Sequence, residues 1–243
     1  MDNRDMSKIK VIGSGSSGNS YILECGEEKL LLELGVDFNE VLKGLDFELL
    51  SVVGCLVTHE HLDHAKHIPH AHNHGLPIYS CKSVVDKYPQ ATLLKLGEKV
   101  QIGNFKVQPI EVSHSCQCYA FLIEHSAMGR MLFCTDCQKF PYKIKSLNHV
   151  FIEANYDEEL VVDNLCKDKE VRSMYHSHME ILRTIEAIRN NYSPSLQTIC
   201  LMHLSSGNAH PKQFKEMVQG SFGFNNVFVA EKGLEINLQT EEF

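Results

Sequence analysis

Short apolar blocks, separated by glycine, serine and asparagine, run the length of the chain, and most are of strand length. Segments 8–13, 20–25 and 29–34 read as strands joined by glycine turns. Residues 39–45 form a short helix candidate, and 52–58 is a continuous apolar strand. A histidine-rich helix is predicted to begin near Asp63, with strands following at 77–80, 105–112, 119–124, 130–135 and 149–153. Ile181, Ile185 and Ile188 give 180–190 a helical spacing. A strand at 197–202 and a helix at 211–219 come next, and the end returns to strands. No internal repeat or Pro/Gly-rich linker divides the 243 residues, so one domain over 1–243 is expected. Two strand-rich halves, each closed by helices, predict an α/β fold: an αβ/βα sandwich with its site along one edge.

Composition narrows the setting. A hydrophobic content of 43% with 22% charged residues fits an ordinary globular protein. No apolar run has the ~20 residues that cross a bilayer, and the opening MDNRDMSKIK lacks a signal-peptide core, so a cytoplasmic protein with no membrane partner is expected. Most of its nine cysteines should then be reduced thiols. Cys134 and Cys137 form a CxxC with no second pair to complete a zinc ribbon, and they read as buried thiols near a strand end. The net charge of −8 opposes wrapping of a long polyanion.

Gly13-Ser14-Gly15-Ser16-Ser17-Gly18 matches the GxGxxG of dinucleotide sites in letters only. Such a site needs a helix next, and the following Asn19-Ser20-Tyr21-Ile22-Leu23 is rich in strand formers. A tight hairpin is the better reading, and its backbone N–H groups can border a phosphate site.

Fourteen histidines are many for this length, and seven of them lie between His59 and His74. Thr58-His59-Glu60-His61-Leu62-Asp63-His64 follows an apolar strand. Spacing by two directs His59 and His61 the same way, and Asp63 and His64 open a helix beside them. Imidazole and carboxylate suit zinc or manganese. Strand ends downstream offer His114, Asp136 and His203, each of which alone would pass as an ordinary polar residue. His67 lies one turn after His64, near the rim, whereas His70, His72 and His74 read as a solvated helix face and loop.

THEHLDH followed by His114, Asp136 and His203 resembles the metallo-β-lactamase superfamily, which implies a four-layer αβ/βα sandwich binding two divalent ions, zinc or alternatively manganese. By that resemblance His59, His61 and His114 hold one ion, Asp63, His64 and His203 hold the other, and Asp136 bridges. SGSSGNS, EANYD at 153–157, SHM at 177–179 and HLSSGN at 203–208 are similar to the YycJ/WalJ-like and phage-encoded branch. That branch includes DNA exonucleases and anti-Pycsar cyclic-nucleotide phosphodiesterases, and the stretch around His59 is most similar to the anti-Pycsar type. Ser115 stands where members often have Asp, and Glu33 where many have a supporting Asp. The resemblance further implies a homodimer.

Two divalent ions, partly offset by Asp63 and Asp136, leave a cationic centre that suits a phosphodiester and can activate water at neutral pH. His178 is the candidate general acid, oriented by Glu153, and Asp63 counts among the catalytic groups as well as the ligands. Ser205, Ser206 and Asn208 are candidate donors to phosphate or sugar. A cyclic mononucleotide, which fits the acidic charge and the absence of a clamping domain, is the expected substrate, and the alternative, favoured by the YycJ-like motifs, is a nuclease acting on DNA or RNA. A thioester or lactam hydrolase and a non-catalytic binding protein are weaker alternatives.

Overall fold

The computed structural model describes residues 7–162 and 168–238. The first half comprises β1 (Ser7–Gly13), β2 (Ser20–Cys25), β3 (Glu28–Leu32), α1 (Phe38–Gly44), β4 (Val52–Val57), α2 (Leu62–Ala65), α3 (Ile68–Asn73), β5 (Ile78–Ser80), α4 (Lys82–Lys87) and β6 (Thr92–Leu93). The second comprises β7 (Val100–Ile102), β8 (Phe105–Val112), β9 (Cys118–His125), β10 (Gly129–Cys134), β11 (His149–Glu153), α5 (Glu158–Val161), α6 (Lys169–Ser177), α7 (Ile181–Asn190), β12 (Thr198–Met202), α8 (Pro211–Phe222), β13 (Val227–Val229) and β14 (Glu235–Asn237).

Two seven-stranded sheets result, in the orders β14-β1-β2-β3-β4-β5-β6 and β13-β12-β11-β10-β9-β8-β7. Each is antiparallel at one end and parallel at the other, the change falling at β3 in the first and β10 in the second. The predicted hairpin is present: β2 pairs antiparallel with β1, and no helix follows the glycine loop. The final strand returns to pair with β1.

Strand periodicity shows which face meets what. In β9, Tyr119, Phe121 and Ile123 belong to a core shared with the first sheet, and Cys118, Ala120 and Leu122 to a second core under α7 and α8. β10 and β12 divide in the same way, with Phe133 and Met202 facing inward and Leu132 and Leu201 outward. Being buried on both sides, these strands read in sequence as continuous apolar runs. Phe38, Val41 and Ile68 of α1 and α3 pack on the first sheet, so helices flank both sheets in an αβ/βα sandwich. No helix among the described residues is long and apolar enough to cross a membrane.

Several boundaries move for local reasons. β3 ends at Leu32 because Glu33 turns left-handed, with φ of 67°. The helix expected from 180 begins at Ile181, because the Glu180 carboxylate caps it by accepting from the N–H groups of Leu182 and Arg183. The elements α4, β6, β7, α5 and α6 were not predicted; the strands are two or three residues long, and α6 (KEVRSMYHS) has only Val171, Met174 and Tyr175 as its apolar face.

His149 opens β11 at the edge away from the histidine cluster, fully buried, its Nε2 2.9 Å from the Met128 carbonyl oxygen. Burial pushes its pKa down to about 4 from 6.5, against the upward pull of that carbonyl. The unfolded chain therefore takes up this proton at higher pH than the folded one, and stability falls as pH drops between those values, by on the order of 3 kcal/mol from this residue. The stability advantage of wild type over His149→Gln, read from urea midpoints, should shrink by about that amount between neutral pH and pH 4. A pH-independent difference would contradict the assignment.

Candidate metal centre

Four strands of the second sheet, β8, β10, β11 and β12, run in one direction, so their C-terminal ends share an edge. His114 and Asp136 follow β8 and β10 by two residues, Glu153 ends β11, and His203 follows β12. Parallel β3 and β4 bring Glu33 and His59 to the same place from the first sheet. The sheets are tied there by the Tyr119 N–H, which donates to the Thr58 carbonyl at 3.1 Å.

The peptides of Asp63 and His64 are gripped by two loops. The Asn19 N–H donates to the Asp63 carbonyl and the Leu34 N–H to the His64 carbonyl, both at 2.7 Å. Gly35 lies so close that a Cβ there would sit 1.7 Å from the Asp63 carbonyl oxygen. Glycine is required by proximity, and the loop after β3 thereby sets the position of the histidine motif.

Everything converges on Asp136, a carboxylate only 1% exposed. Its Oδ1 lies 3.2 Å from His64 Nε2 and 3.5 Å from His203 Nε2. Its Oδ2 lies 3.6 Å from His114 Nε2 and 3.8 Å from His59 Nε2. Asp63 joins the first group, with Oδ2 3.4 Å from His64 Nε2 and 3.5 Å from His203 Nε2. His61 joins the second, with Nδ1 3.3 Å from His114 Nε2. All seven residues expected from the sequence are thus brought together, in two groups with one carboxylate oxygen toward each.

Each ring is backed on its far nitrogen, which fixes the one it presents. Thr58 Oγ1 is 2.9 Å from His59 Nδ1, and the Ser177 carbonyl oxygen is 2.8 Å from His114 Nδ1. Glu33 Oε1 lies 3.5 Å from His64 Nδ1, both atoms being without a hydrogen-bond partner, while its Oε2 accepts from the Thr58 N–H. Ser115 Oγ stands 3.5 Å from His61 Nε2. The presented Nε2 atoms of His59 and His203 are buried without any hydrogen-bond partner. Unpaired imidazole nitrogens aimed at carboxylates fit a site for divalent cations. Burial opposes charge on these groups, yet Asp136 is held well below the usual carboxylate range by His203 and His64, and carboxylates lift His203 to about 10 despite its burial.

Glu153 is fully buried, and its Oε2 accepts from the N–H groups of Cys137 and Met179. Its Oε1 lies 2.6 Å from His178 Nδ1 and 3.1 Å from His203 Nδ1. The His178 and His203 rings stack at 5.2 Å. Burial pushes the His178 pKa down, but the Glu153 charge and hydrogen bond outweigh it and raise the value. His178 and His203 line a cleft of about 440 Å³ together with Ser16, Asn155, Met174, Ser205 and Asn208. Asn208 donates to Ser205 Oγ at 3.1 Å. Ser206 is not brought in: it sits exposed on the turn between them, outside the cleft lining. His67 also stays apart, capping α3 with its ring 5.1 Å from that of His70.

Sequence reasoning missed Asn19 and Asn155. Asn155 Nδ2 donates to the His203 carbonyl at 2.7 Å, holding a histidine whose φ is 53°. Such left-handed residues cost roughly 1–3 kcal/mol and need support of this kind. Both asparagines lie inside motifs noted in the sequence, but their partners are more than forty residues away.

A sequence profile described as the Beta-lactamase superfamily domain matches residues 45–203. The chain belongs to the metallo-β-lactamase superfamily. Within it, the chain is 27% identical over 170 residues to the exodeoxyribonuclease YycJ of Bacillus anthracis, a match spanning 63% of this chain and 64% of that protein. It is 24% identical over 247 aligned residues to the exodeoxyribonuclease WalJ of Streptococcus pneumoniae strain D39, covering 89% and 90%. The structure resembles the metallo-β-lactamase-fold protein YhfI of Bacillus subtilis, with a TM-score of 0.77 at 17% identity over 96% of this chain and all of that one. A diphosphatase of the PhnP family gives 0.67 at 16%, over 96% and 98%. These structural likenesses concern the fold.

Gly35→Ala is predicted to push the Asp63–His64 peptide out of place, lowering stability by roughly 1–3 kcal/mol and depleting bound metal measured by atomic emission. Wild-type metal content in that variant would show that the loop does not set the site.

Proposed function

We propose that this metallo-β-lactamase-fold hydrolase is a two-metal phosphodiesterase acting on nucleotide phosphodiesters. The observation that carries the reading is the division of Asp136, with one oxygen toward His64 and His203, which Asp63 joins, and the other toward His59 and His114, which His61 joins. The two groups are the proposed ligands, and their imidazole and carboxylate donors suit zinc or manganese. Bound there, the ions would activate water and neutralise charge on a phosphoryl group. Retention of all seven groups, with their unpaired nitrogens, supports a working site over a decayed one.

The chain's own residues supply the remaining chemistry. Glu153, its charge held by two backbone N–H groups, accepts the His178 Nδ1–H and keeps the ring protonated and turned to the cleft. His178 Nε2–H is then the acid that protonates the leaving oxygen. Ser205 and Asn208, with Ser16 of the glycine loop, offer hydrogen bonds to phosphate or sugar.

Two substrate readings have separate support. The YycJ- and WalJ-like relatives are named exodeoxyribonucleases, which favours DNA ends. The net charge of −8 and the small cleft favour a cyclic mononucleotide, as does the anti-Pycsar resemblance of the histidine motif. Zinc- and manganese-loaded protein assayed in parallel on cyclic mononucleotides and on end-labelled single- and double-stranded DNA separates them. Hydrolysis of one class, abolished by Asp136→Ala, identifies the substrate; no hydrolysis of either would sink the phosphodiesterase reading. His178→Ala should leave metal content intact and cut turnover by about 10²–10⁴, whereas unchanged turnover would remove His178 from the mechanism.

A further inference from the structure

The group formed by His59, His61 and His114 contains one more donor. Their available ligand atoms and the Cys116 sulfur all lie within 4.8 Å of one another. The loop after β8 delivers the thiol: His114 is anchored on the Ser177 carbonyl, Ser115 turns its hydroxyl toward His61, and Cys116 follows. The seven other described cysteines are buried, whereas Cys116 is half-buried on the open side of the centre. Cys118, the neighbouring thiol, lies behind the ring instead, 3.7 Å from His59 Nδ1. The opposite nitrogen, His59 Nε2, is fully buried, unpaired and aimed into the group.

We propose that Cys116 is a further protein ligand, beside Asp136, of the ion held by His59, His61 and His114, bound as the thiolate. This rests on the two-metal reading and deepens it. On coordination the S–H bond breaks, the sulfur bonds the metal, and the proton leaves to solvent on the exposed side. A soft thiolate favours zinc over manganese, a choice that imidazole and carboxylate alone leave open. It also removes one unit of positive charge from the centre that faces the substrate.

Cobalt(II) substitution tests this without reference to activity. The wild-type protein should bind two cobalt ions and show a near-ultraviolet sulfur-to-cobalt charge-transfer band. Cys116→Ser should lose the band and keep the ligand-field bands of the histidines, and Cys118→Ser should retain both. In competition titrations, Cys116→Ser should weaken zinc by about tenfold or more and leave manganese little changed. Two bound cobalt ions without the band, a band that survives Cys116→Ser, or equal weakening of both metals would overturn the Cys116 assignment and leave the two-metal reading standing. Failure to bind cobalt at all would overturn both.

Discussion

A single buried carboxylate organises this molecule. Asp136 is shielded from water and surrounded by five imidazoles, counting His178, whose Nδ1 lies 3.7 Å from its Oδ2. A charge in that position is costly unless opposite charge is near. Thr135 donates to Oδ1 at 2.7 Å, but one hydroxyl is a small compensation for a carboxylate with four lone-pair directions. Burial lowers the pKa values of His64 and His203, but the surrounding carboxylates outweigh it and raise both, which favours opposite charge beside Asp136. Divalent cations would supply that charge more completely, and the unpaired nitrogens of His59 and His203 then acquire partners.

The fold serves this requirement by topology. In each sheet the switch between antiparallel and parallel pairing leaves several strand ends at one edge, and polar residues placed just beyond apolar strands meet there without any long search. What remains is to fix their angles. Glu33 and His203 do so in left-handed conformations, each held by contacts from distant loops. The rigidity of the two cores beneath lets those strained residues persist.

Much of this was legible in the chain. The strands carrying the site are long and apolar, so their ends could be located to within a residue or two, and the residues after them chosen by chemistry. His59, His61, Asp63, His64, His114, Asp136 and His203 were found in this way, with the order of the motif as a guide. The supports were not legible in the same way. Asn19, Asn155, Gly35 and the Ser177 carbonyl act across gaps that no local period reports, and α6, which supplies that carbonyl and part of the cleft wall, is a short helix with three apolar residues. Ser206 was chosen with its neighbours Ser205 and Asn208 because adjacent polar letters look alike, while the turn exposes one and turns the others inward. Cys116 belongs to no cysteine spacing pattern, and its nearness to His59 and His61 is made by the fold across more than fifty residues.

The most direct test of the central claim is diffraction from crystals of the zinc-loaded protein, recorded on both sides of the zinc absorption edge. The account predicts two anomalous peaks per chain, one beside each oxygen of Asp136, with His59, His61 and His114 around the first and Asp63, His64 and His203 around the second. A single peak, or peaks that leave Asp136 without a metal on either side, would contradict it.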